Sequence, residues 1–76
     1  MIKIEIRLFA DLNEFQPVNF ENFSIAEETS VYQLLLDFGI DPNRAKIIFI
    51  NGKKSNLNDL INNGDRVGVF PPVGGG

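Results

Sequence analysis

Apolar residues along this 76-residue chain recur first at a period of two, then at three to four, then at two again. Ile2, Ile4, Ile6 and Leu8 alternate with Lys3, Glu5 and Arg7, the mark of a strand with one buried face. Asp11 to Pro17 is polar and ends in proline, which predicts the turn or loop of a hairpin. Val18 to Ile25 then predicts a second strand carrying Val18, Phe20, Phe23 and Ile25. Its parity breaks between Phe20 and Phe23, so a bulge or a frayed start is expected there. At Ser30 the period changes. Ser30 stands three residues before Gln33, a capping-box spacing, and Val31, Leu34, Leu35 and Phe38 follow at i, i+3, i+4 and i+7. Gly39 closes this helix and Asp41-Pro42 prevents its extension. At about two turns it is too short to stand alone in water and must lie across a sheet.

Lys46 to Ile50 predicts a third strand, and Asn51-Gly52 a tight turn into a short fourth. Leu57, Leu60 and Ile61 lie in a polar stretch and predict a short helical turn that anchors a loop. Asn63-Gly64-Asp65 turns the chain into a last strand, Arg66 to Phe70. The expected fold is α+β, a roll of four to five mixed strands with one main helix packed on one face. Residues 1–70 form the domain, and residues 71–76 a flexible C-terminal tail.

Strand parity carries a second expectation. With Ile4, Ile6, Val67, Val69, Ile48 and Ile50 facing the helix, Phe9, Ile47, Phe49 and Phe70 fall on the opposite, uncovered face. Clustered exposed aromatics mark a partner surface. A register slip of one residue would exchange the two faces.

Composition narrows the chemistry. The chain has no His, Cys or Trp, so it lacks the commonest general base and the strongest nucleophile. Its carboxylates are scattered, with Glu27-Glu28 the one adjacent pair, and no metal site or catalytic residue of its own is expected. The net charge of −3 and a longest basic run of Lys53-Lys54 argue against nucleic acid as a partner. No stretch is long enough to cross a membrane, nothing at the start resembles a signal peptide, and a cytoplasmic monomer is the expectation. An acidic surface of this kind predicts a partner whose docking site has a basic rim.

The end of the chain, Pro71-Pro72-Val73-Gly74-Gly75-Gly76, is the most distinctive stretch. The prolines favour extended geometry, and three glycines carry no side chains to obstruct entry into a narrow pocket. From Phe70 to Gly76 the reach is roughly 20 Å at about 3.3 Å per residue. A terminal carboxylate on such a tail suits a reacting group presented to another protein.

Leu8-Phe9-Ala10-Asp11-Leu12-Asn13-Glu14, Ile50-Asn51-Gly52, and Asn63-Gly64-Asp65-Arg66-Val67 leading into the Phe70–Gly76 block together resemble the MoaD/ThiS family. The opening segment looks closer to the molybdopterin synthase small-subunit branch than to the thiamine branch. The resemblance implies a ubiquitin-like β-grasp sulfur carrier. In such carriers the terminal glycine carboxylate, here Gly76, is adenylated by an ATP-dependent enzyme of the MoeB/ThiF type. A sulfur donor then converts it to a thiocarboxylate, and the sulfur passes to an acceptor synthase subunit. The carrier itself binds no cofactor; ATP and the sulfur donor are used by the activating partner. By the same resemblance Gly74, Gly75 and Gly76 enter the partner's active site, led by Pro71, Pro72 and Val73, while Phe9, Phe49 and Phe70 dock. Two other readings share the tail: a ubiquitin-like modifier joined to lysines through Gly76, and a non-conjugated β-grasp interaction module.

Overall fold

The computed structural model of the chain describes residues 1–72, and among these five strands form one sheet in the order β2-β1-β5-β3-β4. The strands are β1 (Ile2–Leu8), β2 (Phe23–Ile25), β3 (Ile47–Ile50), β4 (Lys53–Ser55) and β5 (Arg66–Phe70). The central pair, β1 and β5, is parallel, and each outer pairing is antiparallel. A helix, α1 (Val31–Asp37), supplies the crossover between the β1–β2 hairpin and β3. This is the expected β-grasp roll.

The alternation in β1 is realised as read: Ile4, Ile6 and Leu8 are buried while Lys3, Glu5 and Arg7 are not. Val67 and Val69 of β5 are fully buried, and Ile48 of β3 joins them beneath α1 with Val31, Leu34 and Leu35. Removing such apolar surface from water contributes about 1.5–3 kcal/mol for each large side chain, which is what holds a seven-residue helix in place.

Ser30 caps α1 through its Oγ, which accepts from the Gln33 amide at 3.1 Å. The reciprocal arm of the capping box is absent, because the Gln33 amide side chain donates forward to Asp37 Oδ1 at 2.9 Å. The remaining orphan donors of the first turn are met from elsewhere. Val31 N–H donates to the Asp59 carbonyl and Tyr32 N–H to the Leu57 carbonyl, both at 3.0 Å. Phe38 follows the helix and packs against Phe23 at 5.2 Å between ring centroids; Gly39 then takes φ +80°, where a side chain would be strained.

One local expectation is refined and two are corrected. Asp11 to Pro17 lies in the expected connection between the antiparallel β1 and β2, but Ala10–Phe15 winds there as a 3-10 turn that sinks Leu12 completely into the core. One apolar residue in a polar run carries no period, so the burial is invisible to pattern. The second strand does not run from Val18 to Ile25 but is limited to Phe23–Ile25. Val18 is fully exposed, and a turn closed by Asn22 N–H on the Asn19 carbonyl intervenes. The Ile6 amide nevertheless reaches the Phe20 carbonyl at 2.8 Å, so pairing breaks between Phe20 and Phe23, where the parity does. Finally, Leu57 to Ile61 is not helical. The carbonyls of Leu57 and Asp59 are taken by α1, and the segment runs beside it through a Ser30–Leu60 bridge, with Ile61 buried.

A polar clasp fixes the start of β5. Asp65 is almost wholly buried; its Oδ1 accepts from Asn51 Nδ2 and its Oδ2 from the Asn62 amide, each at 2.8 Å. Asn51 Oδ1 accepts in turn from the Arg66 amide at 3.0 Å. Asn51 and Gly52 have φ of +55° and +80°, the type I′ pattern that the Asn-Gly pair predicts. The tight turn and the last strand are therefore locked in one register, and that register decides what the open face displays.

Candidate docking face

The face of the sheet opposite α1 can be laid out in rows from the strand register. One row runs Arg7 (β1), Gly68 (β5), Phe49 (β3), Lys54 (β4). To one side of it Phe70 pairs with Ile47, and Phe9, just past the end of β1, lies beside Phe70. To the other side Glu5 pairs with Arg66.

The aromatic side chains are interlocked. Phe9 and Phe70 stack with centroids 4.1 Å apart and planes within 2°, and Phe49 meets Phe70 edge-on at 6.0 Å. Gly68 leaves the floor beneath these rings low. A Cβ added there would stand 3.4 Å from Phe9 Cε2, so the ring lies directly over the strand's bare backbone. The result is an open apolar hollow of about 360 Å³ walled by Phe9, Phe49 and Phe70, floored by Gly68 and bordered by Arg7 and Arg66. Phe9 retains 39% of its surface exposed and Ile47 36%, while Phe49 and Phe70 are half-buried by one another.

All four face residues expected from parity therefore share the open side. Phe9, Phe49 and Phe70 form the hollow; Ile47 is beside Phe70 but outside its wall. Arg7 and Arg66 belong to the site although sequence reasoning did not assign them to it, and Gly68, which shares the face of Phe70 by strand parity, forms its floor. A glycine between two valines of a strand is the signal for close approach of another group. Pro71 and Pro72 follow directly from the hollow's own wall at Phe70. Val73, Gly74, Gly75 and Gly76 lie outside the described residues.

The rim is basic, not acidic. Arg7 is held by Glu5 (Nε to Oε2, 2.8 Å) and more distantly by Glu21 at 3.8 Å, with its guanidinium 4.6 Å above the Phe20 ring. Arg66 and Lys54 have no ion-pair partner among the described residues. Most carboxylates lie elsewhere: Asp11 pairs with Arg44, Asp41 caps the turn after α1, Asp65 is in the clasp, and Glu27 and Glu28 precede α1. The expectation of a negative docking surface, drawn from net charge, is thus reversed on this face. Among the described residues no cluster of metal-ligating side chains occurs, and no helix is long and apolar enough to cross a membrane.

The profile of the ThiS family matches residues 6–76, nearly the whole chain. The chain belongs to the ThiS family. No curated protein matches it. Among solved structures it is similar to a putative molybdopterin converting factor subunit 1 from Pyrococcus furiosus, at 24% identity and a TM-score of 0.70. That alignment covers 96% of this chain and all of the other. It is also similar to SAMP1 from Haloferax volcanii, at 25% identity and a TM-score of 0.66, over 97% and 99% of the two chains. The small archaeal modifier protein 1 of Methanosarcina acetivorans aligns at 23% identity and a TM-score of 0.65, over 100% and 98%. These likenesses support the ubiquitin-like β-grasp fold.

Proposed function

We propose that this ThiS-family chain is a sulfur carrier whose Gly76 carboxylate is activated by an adenylating enzyme and exchanged for a thiocarboxylate. A carboxylate resists nucleophiles because it is anionic and has no good leaving group. In the activating step its oxygen attacks the α-phosphorus of ATP and pyrophosphate departs, leaving an acyl-adenylate. A hydrosulfide then attacks the carbonyl carbon and AMP departs, leaving the thiocarboxylate for transfer to an acceptor. The enzyme provides the metal and cations that stabilise the developing charge. The carrier provides the reactive end and a grip.

The observation that carries this reading is the continuity between hollow and tail. Phe70 is a wall of the hollow and the residue from which Pro71 departs, so a partner holding Phe9, Phe49 and Phe70 fixes the tail's origin. Six residues beyond it give roughly 20 Å of reach, enough to enter a buried active site. The family match extends through these residues to position 76. The acceptor belongs to cofactor biosynthesis of the molybdopterin or thiamine kind.

Intact mass spectrometry of the chain, incubated with ATP, a sulfide donor and the adenylating enzyme of its own source, tests this. The expected product carries one sulfur in place of one oxygen, localised to Gly76. An enzyme active on its own substrate but leaving this chain unchanged would refute the proposal. The likeness to SAMP1 favours a second use of the same acyl-adenylate, an isopeptide bond between Gly76 and a lysine ε-amino group. Branched peptides bearing the Gly76 end on lysines in cell extracts are the outcome that reading requires.

A further inference from the structure

We infer that the partner surface received by the open face is an apolar knob ringed by carboxylates, and that Arg66 and Lys54 steer the encounter. The inference rests on the proposed carrier function and names the chemistry of its docking partner.

Charge is segregated in this fold against the sign of the whole chain. Its formal net charge is −3, yet the strand residues of the open face are Lys3, Arg7, Arg66 and Lys54 with a single carboxylate, Glu5. That carboxylate is occupied by Arg7 at 2.8 Å. Arg7 is therefore a neutralised wall, fixed between Glu5 and the Phe20 ring. Arg66 and Lys54 are different. They border the aromatic cluster on separate sides, one at the start of β5 and one on the edge strand β4, and neither forms an ion pair among the described residues, since Glu5, the cross-strand neighbour of Arg66, is taken by Arg7.

The register sets the size of the matching surface. Arg7 and Lys54 end one row three strand spacings apart, about 14 Å at about 4.8 Å per spacing. Gly68 and Phe49 lie between them, and the hollow opens there. A complementary partner places an aliphatic or aromatic side chain against Gly68 and sets Asp or Glu around it, facing Arg66 and Lys54. Rim charges of this kind act on the association rate more than on the final affinity. Acidic residues away from the open-face strands, including Glu27 and Glu28 in the turn between β2 and α1, would then orient the molecule in the partner's field, repelled as the basic face is attracted.

The test is the kcat/KM for the carrier in ATP–pyrophosphate exchange by the adenylating enzyme of the same source, at low and high salt. Arg66→Glu combined with Lys54→Glu is expected to lower kcat/KM by about tenfold or more at low salt, with kcat unchanged. High salt should bring wild type down toward the variant, because screening shortens to about 3 Å at 1 M. Glu27→Lys, in the turn between β2 and α1, should not lower the rate. If the double reversal shifts the urea midpoint, Arg66→Gln with Lys54→Gln replaces it and should show a smaller loss of the same kind. Unchanged kcat/KM in folded variants overturns the inference while leaving the carrier function intact, as does a wild-type rate that rises with salt. A wild-type chain that supports no exchange at all refutes the carrier function and the inference with it.

Discussion

Gly68 offers a way to separate what the fold needs from what the open face does. Its backbone is extended and it sits in the interior of β5, where glycine is about 0.5–1 kcal/mol less favourable than alanine. The new methyl of Gly68→Ala meets Phe9 Cε2 at 3.4 Å, an ordinary van der Waals contact, so no compensating strain arises. The variant should therefore be more stable by roughly 1 kcal/mol, raising Tm by about 4–8 °C for a domain of this size. The methyl also raises the floor of the hollow. A larger residue, Gly68→Ile, cannot fit beneath the ring and must lift Phe9 from Phe70, losing a stack worth about 0.5–1.5 kcal/mol and filling the hollow. The assay pairs urea unfolding, with the m-value checked for two-state behaviour, and the KM for the carrier in adenylation. Stability should rise in the alanine variant, and KM should rise stepwise from glycine to alanine to isoleucine. Destabilisation of Gly68→Ala by 1 kcal/mol or more would refute the placement of Phe9. A folded Gly68→Ile with unchanged KM would refute the hollow as the docking site.

Three further outcomes test the rest of the architecture. Leu12→Ala should destabilise by about 2–5 kcal/mol in urea, since Leu12 is fully buried although its neighbours are polar; a loss under 1 kcal/mol would contradict the 3-10 turn. Ser30→Ala should cost about 0.5–2 kcal/mol by the same assay, and Gln33→Ala no more than about 0.5, because only Ser30 completes its half of the capping box. Asp65→Asn should cost about 1–3 kcal/mol, because both carboxylate oxygens accept hydrogen bonds and the amide turns a donor toward one of those donors. Amide exchange at Asn62 and Arg66 should quicken in that variant, and unchanged protection there would argue against the clasp.

Legibility in the sequence followed the number of residues that had to agree. β1, α1 and β5 are each set by several apolar positions on one period, and each appears within a residue or two of its expected bounds. The open-face residues were legible for the same reason, because Phe49 and Phe70 follow from the parity of strands whose other face is core. Leu12 was not legible: a lone leucine has no partner at i+3 or i+4 to give it a direction. Nor was the conformation of Leu57 to Ile61, because its backbone carbonyls serve α1, more than twenty residues earlier in the chain, and no local pattern records that pairing. Arg66 and Lys54 lay in plain view, but a net charge cannot say on which face the charges stand. Parity applied to charged residues as well as apolar ones would have located them.

An uncovered aromatic face on a small five-stranded sheet invites association, and its local chemistry explains how it stays specific. Phe9 and Phe70 cover much of each other, so the exposed apolar area is concave and confined instead of a flat stripe. Both edge strands, β2 and β4, are three residues long, which limits the row of free backbone groups another chain could pair with. β4 also carries Lys53 and Lys54 side by side, so two copies approaching edge to edge bring like charges together. The same Lys54 then has two consequences from one position: it opposes self-pairing along the edge and, across the face, favours a partner bearing carboxylates. Lys54→Ala should therefore weaken the encounter with the adenylating enzyme and also increase self-association at high protein concentration, measurable by sedimentation velocity. A loss of both properties from one substitution is what distinguishes a built docking rim from a lysine that merely keeps the surface charged.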